Sequence, residues 1–120
     1  QIDAIMETLP VEVTFVDADD TVAYFNRLDQ EKIFVRSRSV IGRKVAKCHP
    51  QNSVEKVIQI VEGFKSGDLD QAEFWINLGD KKVYIRYFPV RNEQGKYLGV
   101  LEVTQEIASI QKLSGEKRLL

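Results

Sequence analysis

The sequence is short of the residues that most often carry reactive chemistry. Its 120 residues hold one cysteine, Cys48, and one histidine, His49. A single cysteine excludes an internal disulfide, and the pair supplies too few soft ligands for a structural zinc site, so a reduced, cytoplasmic setting is expected. Long apolar runs are missing too. Runs such as Val100-Leu101 are far short of the roughly 20 residues that cross a bilayer, which argues against a membrane partner. Charge of one sign is not in excess: 17 Lys and Arg stand against 18 Asp and Glu. A phosphate-binding surface needs a basic excess on one face, so nucleic acid is not an expected partner. There is no H-E-x-x-H, no G-x-S-x-G and no phosphate-binding glycine loop, and only His49 could serve a nucleophile as base. A non-catalytic role follows. The chain opens at Gln1 without Met or a signal-peptide pattern, so it reads as a piece of a longer protein whose other domains are its partners.

What is present suits one soluble domain. Hydrophobic residues make up 43% of the chain and aromatic residues 9%, enough for a compact core and a small internal cavity. Ile2, Ile5, Met6 and Leu9 recur at helical spacing until Pro10 stops them. From Val11 the period changes to two. Residues 11–16 read as a strand, Asp17-Ala18-Asp19-Asp20 as a turn, and Thr21 to Phe25 as the returning strand. In that turn Asp17 and Asp19 have the ordinary role of solvated turn-capping.

Residues 26–49 are less periodic and read as short helices and turns. Val54, Val57, Ile58, Val61 and Phe64 then mark an amphipathic helix over 53–65, with Asn52 and Glu55 as its N-cap signal. Strand patterns follow at 72–78, 82–90 and 97–104, joined by the turns Gly79-Asp80-Lys81 and Asn92-Glu93-Gln94-Gly95, as in an antiparallel meander. Ile107, Ile110 and Leu113 suggest a terminal helix broken by Ser114-Gly115. The order predicts an α+β fold: a five-stranded antiparallel sheet with helices on one face and flanking N- and C-terminal helices. Its parts are a flanking helix over 1–10, the domain over 11–105 and a linker helix or tail over 106–120.

Several segments together resemble a PAS domain, the sensory and interaction module. Phe15 to Asn26 resembles its opening hairpin, with an Asp-containing turn followed by Asn. Ile41-Gly42-Arg43 resembles the glycine segment before the long helix, and Cys48-His49-Pro50 resembles the entry into that helix. Arg91 to Gly99 resembles the last hairpin, and Val103-Thr104-Gln105-Glu106-Ile107 resembles the exit motif before a signalling helix. The resemblance spans about residues 10–110. With Ala72 to Ile76, Tyr84 to Phe88 and Gly115 to Leu120 added, it extends to the C-terminal PAS domain of a prokaryotic family that also carries a domain of unknown function and a hemerythrin-like domain. That context implies redox or oxygen sensing. Asp20 stands where such turns often carry Gly, and Asp tolerates the left-handed backbone required.

The resemblance implies a pocket between sheet and helix 53–65, with Tyr24, Val45, Val57, Ile58, Val61, Ile85 and Tyr87 as its expected lining and Arg43 and His49 as polar candidates. It would hold a small-molecule ligand, or none, and relay occupancy through 104–113. Arg36, Arg43 and Arg86 are candidates to gather around an anionic ligand or to pair on the surface; surface pairing is expected for Arg36, and Arg43 stays open. His49 titrates near neutrality and is the one candidate haem ligand. It precedes Pro50, whereas haem-binding PAS domains place their ligand within the long helix, so a structural bond at the helix entry is expected first. Cys48 reads as a small buried hydrophobe before it reads as a redox thiol. Flavin photosensors of this fold carry N-C-R-F-L-Q, which is absent, and no cofactor is required, haem or flavin being the alternatives.

Period-two spacing puts Phe74 and Trp75 on opposite sheet faces. With Phe74 in the core, Trp75 lies outside and needs cover. Ile2, Ile5, Met6, Trp75 and Phe88 are therefore the expected interface of a homodimer, unless residues 1–9 cover Trp75 within one chain. A ligand-free structural dimerisation module is the alternative reading.

Overall fold

The computed structural model describes residues 1–26, 41–42, 44 and 51–120, with side chains from Val54 onward in the long helix. Its elements in chain order are α1 (Ile2–Thr8), β1 (Glu12–Asp17), β2 (Val22–Phe25), α2 (Gln51–Ser66), β3 (Ala72–Leu78), β4 (Lys81–Arg91), β5 (Tyr97–Glu106) and α3 (Ala108–Gln111). The strands form one antiparallel sheet in the order β2-β1-β5-β4-β3. β3, β4 and β5 are the predicted meander, and β5 pairs with β1, which joins the two hairpin systems at the centre of the sheet. The α+β class read from the sequence is the class observed.

The left-handed backbone expected at Asp20 is there, at φ 62°. Asp17 pins the turn by accepting from the backbone N–H groups of Asp19 at 3.0 Å and Thr21 at 3.1 Å. Gly99, at φ 150°, is required for a different reason. A Cβ there would lie 2.1 Å from the Val16 carbonyl oxygen and 2.8 Å from the Phe15 ring, so only glycine lets β5 approach β1 at this point.

Register assigns the faces. Val16 pairs with Val100, Thr14 with Glu102, Glu102 with Tyr87, Tyr87 with Ala72, and Ile85 with both Thr104 and Phe74. These residues look toward α2, whose Ile60, Val61 and Phe64 are buried against Val100 with Val57, Ala72, Phe74, Tyr87 and Tyr97 around them.

Here the helix departs from its predicted stripe. Val57, Val61 and Phe64 of that stripe do face the core, with Phe64 fully buried, but the residue that joins them is Ile60, 8% exposed, which stands three residues from Val57 and four from Phe64. Choosing Ile60 turns Ile58 outward to 46% exposure. The helix also starts two residues earlier than predicted, so Asn52 lies inside its first turn. It ends at Gly67, φ 85°, where the Leu69 N–H bonds back to the Gly63 carbonyl at 3.1 Å. Lys65 then pairs with Asp20 at 3.0 Å and ties the helix end to the β1–β2 turn.

The terminal helix is shorter than its spacing predicts. α3 is one turn, and Ile110 and Leu113 are 48% and 78% exposed, so among the described residues little apolar burial rewards further winding.

Candidate functional site

Between α2 and the sheet, the described residues enclose a cavity of about 30 Å³ walled by Val16, Val57, Ile60, Val61, Tyr87, Val100 and Glu102. α2 supplies one wall at i, i+3 and i+4, and the central strands β1, β5 and β4 supply the floor. Six of these groups offer an apolar or aromatic surface. The seventh is a carboxylate, 9% exposed, whose Oε1 accepts from the Thr104 hydroxyl at 3.4 Å. Thr14, 8% exposed, lies across from it in register.

Of the residues predicted to line a pocket, Val57, Val61 and Tyr87 meet in this wall. Ile85 shares the inner face one register step away. Ile58 points outward on α2. Tyr24 is on the opposite face of the sheet, because it pairs with Phe15, which pairs with Leu101, which pairs with Phe88. A bulge between Phe15 and Val16 shifts the β1–β2 alternation, and the sequence does not announce it. Arg36, Arg43, Val45, Cys48 and His49 lie outside the described residues. Val16, Ile60, Val100 and Glu102 were not among the predicted lining. Ile60 was legible as i+3 from Val57, but Glu102 carried no signal in an alternating strand.

The outer face is built differently. In β5 the apolar residues Leu101 and Val103 face outward while Glu102 and Thr104 face inward. β1 repeats this with Val13 and Phe15 outside and Thr14 inside. Arg86 belongs to the outer face. Its guanidinium lies 5.0 Å from the Tyr84 ring centroid and 5.7 Å from that of Phe88, and one amino group donates to Gln105 Oε1 at 3.2 Å. Its Nε–H is buried with no partner among the described residues. The Tyr84 hydroxyl donates to Glu73 Oε2, and that bond holds its pKa above the usual tyrosine value. Trp75, opposite Tyr84, is 60% exposed.

α1 does not cover Trp75. Asn26, 1% exposed, anchors the chain just after the helix: its Oδ1 accepts from Val13 N–H at 2.8 Å, and its amide donates to the carbonyls of Met6 at 2.8 Å and Val11 at 3.0 Å. The Asn26–Met6 bond places the end of α1 beside the end of β2, and burial, with the charges of Glu7 and Asp3 nearby, raises the Tyr24 pKa. Trp75 is on β3, four strand spacings or roughly 19 Å across the sheet. Ile2 and Ile5 are 74% and 59% exposed, Met6 is half-buried, and Phe88 is half-buried on the outer face. Among the described residues, 1–9 therefore do not provide the within-chain cover for Trp75.

At the α2 C-terminus, Arg91 donates to the Phe64 carbonyl and its guanidinium lies 5.8 Å from the Tyr97 ring centroid. Burial raises the Tyr97 pKa, Asp20 adds to the rise and Arg91 opposes it.

A five-stranded antiparallel sheet with one long helix across its inner face, a small cavity between them and a short helix leaving the last strand define the α+β fold of this chain. A PAS domain family model matches residues 2–108, and the chain belongs to that family. The C-terminal domain of a Streptococcus mutans protein is similar at 35% identity, over 95% of this chain and 88% of that one, with a TM-score of 0.86. A PAS domain of a protein from Colwellia psychrerythraea shares the fold at 15% identity, over 91% and 96% of the two chains, with a TM-score of 0.65. So does a sensory box sensor histidine kinase from Vibrio cholerae at 10% identity, over 88% of each chain, with a TM-score of 0.61. No curated protein sequence matches the chain. Among the described residues no helix is long and apolar enough to cross a membrane.

Proposed function

We propose that this PAS domain is a non-catalytic sensory module that holds a small ligand between α2 and the sheet and passes its state through residues 104–113 to other domains of a longer polypeptide. One observation carries the reading: the strand that floors the cavity also makes the exit. β5 contributes Val100 and Glu102 to the cavity wall, and four residues later Glu106 Oε1 accepts from the Ala108 N–H at 2.7 Å, where α3 begins. The same carboxylate accepts from the Lys82 N–H at 3.3 Å, so a shift of β5 is felt at α3 and at the start of β4 together. The name of the sensor kinase relative is in keeping with a sensory role.

Native mass spectrometry of the protein as purified, followed by amide NMR after ligand removal, tests this. A co-purified small molecule whose removal moves amide signals over 104–113 is the expected result. Absence of any bound molecule, together with a cavity-free core, would remove the ligand from the function. The redox or oxygen form of the reading rests on His49, since the described cavity wall offers no His or Cys to a haem iron. A Soret band on haem addition, lost in His49→Ala, is what that form requires.

A second reading is favoured by the inverted alternation of β1 and β5. Half-buried Phe15, Leu101 and Phe88 and exposed Trp75 form an outer surface that a homodimer would cover, with Ile2 and Ile5 at its other edge. Sedimentation at high micromolar concentration should show a dimer; a monomer there would dismiss this reading.

A further inference from the structure

The two ends of the sheet are finished differently. At one end β2 is four residues long, and its pairing with β1 is broken by the bulge between Phe15 and Val16. Its start is met by the Gly42 N–H, which donates to the Val22 carbonyl at 2.6 Å, and by a bridge between Thr21 and Lys44. A short, bulged and partly covered edge is how a sheet avoids pairing with other chains. At the other end β3 runs for seven residues, Ala72–Leu78, in unbroken register with β4. Among the described residues nothing pairs with its free side. It contains no proline and no lysine, its one charge is Glu73, and Trp75, Ile76 and Leu78 are 60%, 40% and 42% exposed. Such an edge offers a row of backbone N–H and C=O groups to a further strand.

The occupant follows from the residues of the strand, which are complementary to themselves in antiparallel pairing centred on Trp75. That centring sets Ala72 against Leu78, Glu73 against Asn77, Phe74 against Ile76 and Trp75 against Trp75, each pair taking one residue from either copy. Apolar meets apolar on the inner face, a carboxylate meets an amide on the outer one, and no like charges are opposed. A two-residue slip in either direction sets Trp75 against Glu73 or Asn77 and leaves five pairs instead of seven. The next pair outward, Asp70 with Asp80, lies beyond both strand ends and limits the ladder to β3 itself. We infer that β3 is a pairing edge for a second copy of this chain, joining two five-stranded sheets into one continuous sheet about a two-fold axis at Trp75. This contact differs from a dimer made face to face, because backbone hydrogen bonds along the edge make it. Seven residues a side is a small interface, so the dimer is a weak one.

Trp75 would serve a face-to-face dimer as well, so the test turns on the Glu73–Asn77 pair, which occurs on both sides of the axis, and on the backbone. Asn77 is exposed, so substituting it costs the fold little. In sedimentation equilibrium of the 120-residue protein up to millimolar concentration, Asn77→Lys should tighten the dimer about threefold by meeting Glu73. Asn77→Glu should loosen it about threefold by opposing the same carboxylate. Amide hydrogen exchange over 72–78 should slow as concentration rises, and at alternate residues, because only every second amide of an edge strand points outward. A dimer that responds to neither substitution and leaves those amides unprotected would overturn the inference in favour of a contact on the outer face. A monomer throughout the range would overturn this inference and the face-to-face dimer together.

Discussion

The two faces of the sheet are opposites in what they do with polarity. The inner face has its cover, α2, and spends part of it on a buried carboxylate and two threonines; the outer face carries Phe15, Leu101, Phe88, Val103 and Trp75 with no comparable element across β3 and β4 among the described residues. A domain built for stability alone would reverse the two assignments in β1 and β5. The difference teaches that the two faces suit different occupants: in the readings proposed above, the inner one suits a small ligand between apolar walls and the outer one a protein surface.

Breaking the inner face should cost most. Phe64 is fully buried at the contact of α2 with the sheet, and Phe64→Ala should destabilise by about 3–5 kcal/mol in a denaturant titration, transfer and cavity costs together. If the loss is near 1 kcal/mol, the α2 contact is looser than its burial implies. Gly99→Ala comes next, at about 2–3 kcal/mol, since the new Cβ must displace the β1 backbone at Val16. Asn26→Ala follows at about 2 kcal/mol, with three hydrogen bonds removed and the Val13 N–H left buried. It should also raise proteolysis of residues 1–10, which sharpens the claim that Asn26 holds α1 to the β2 edge.

On the outer face the same kind of truncation should read out in assembly. Trp75→Ala should change the unfolding free energy by less than about 1 kcal/mol, because the ring is 60% exposed in one chain. If the homodimer forms on this face, its dissociation constant should rise at least about tenfold in sedimentation, as for a buried aromatic anchor. A variant that dimerises unchanged would place the interface elsewhere.

Much of this architecture was legible because burial periodicity writes itself into sequence. The strand over 72–78 was read to the residue, and the Asp20 turn followed from which side chains tolerate positive φ. The site was only partly legible. Val57, Val61 and Tyr87 obey the ordinary rule that apolar residues face inward. Glu102 breaks it, and in Leu101-Glu102-Val103-Thr104 alternation alone assigns the polar pair to solvent. Tyr24 was misplaced for a related reason: a bulge shifts alternation by one residue without changing composition. Ile58 and Ile60 compete for one helix face, and the choice depends on Phe64 meeting Val100, a contact between residues far apart in the chain.

The smallest effect concerns the rim of the inner face. Tyr97 packs against the α2 core, and its hydroxyl is buried without a partner among the described residues. Tyr97→Phe should therefore leave stability near pH 7 within about 0.5 kcal/mol, since it removes a group whose hydrogen-bonding is unmet. Alkaline pH separates the two proteins. Burial, with Asp20 adding, holds the folded-state pKa above the value of 10.0 that the unfolded chain retains. Below that value both states keep the proton and stability is undiminished. Above it the unfolded chain gives up the proton first, so stability falls with rising pH until the folded state also titrates. Denaturant midpoints taken between pH 9 and 11 should fall less steeply in Tyr97→Phe than in the parent. The slope that remains includes Tyr24 and Tyr84, which are raised as well. Parallel slopes would mean that the Tyr97 hydroxyl reaches solvent and that the inner face is open at the α2 C-terminus, closer in character to the outer one.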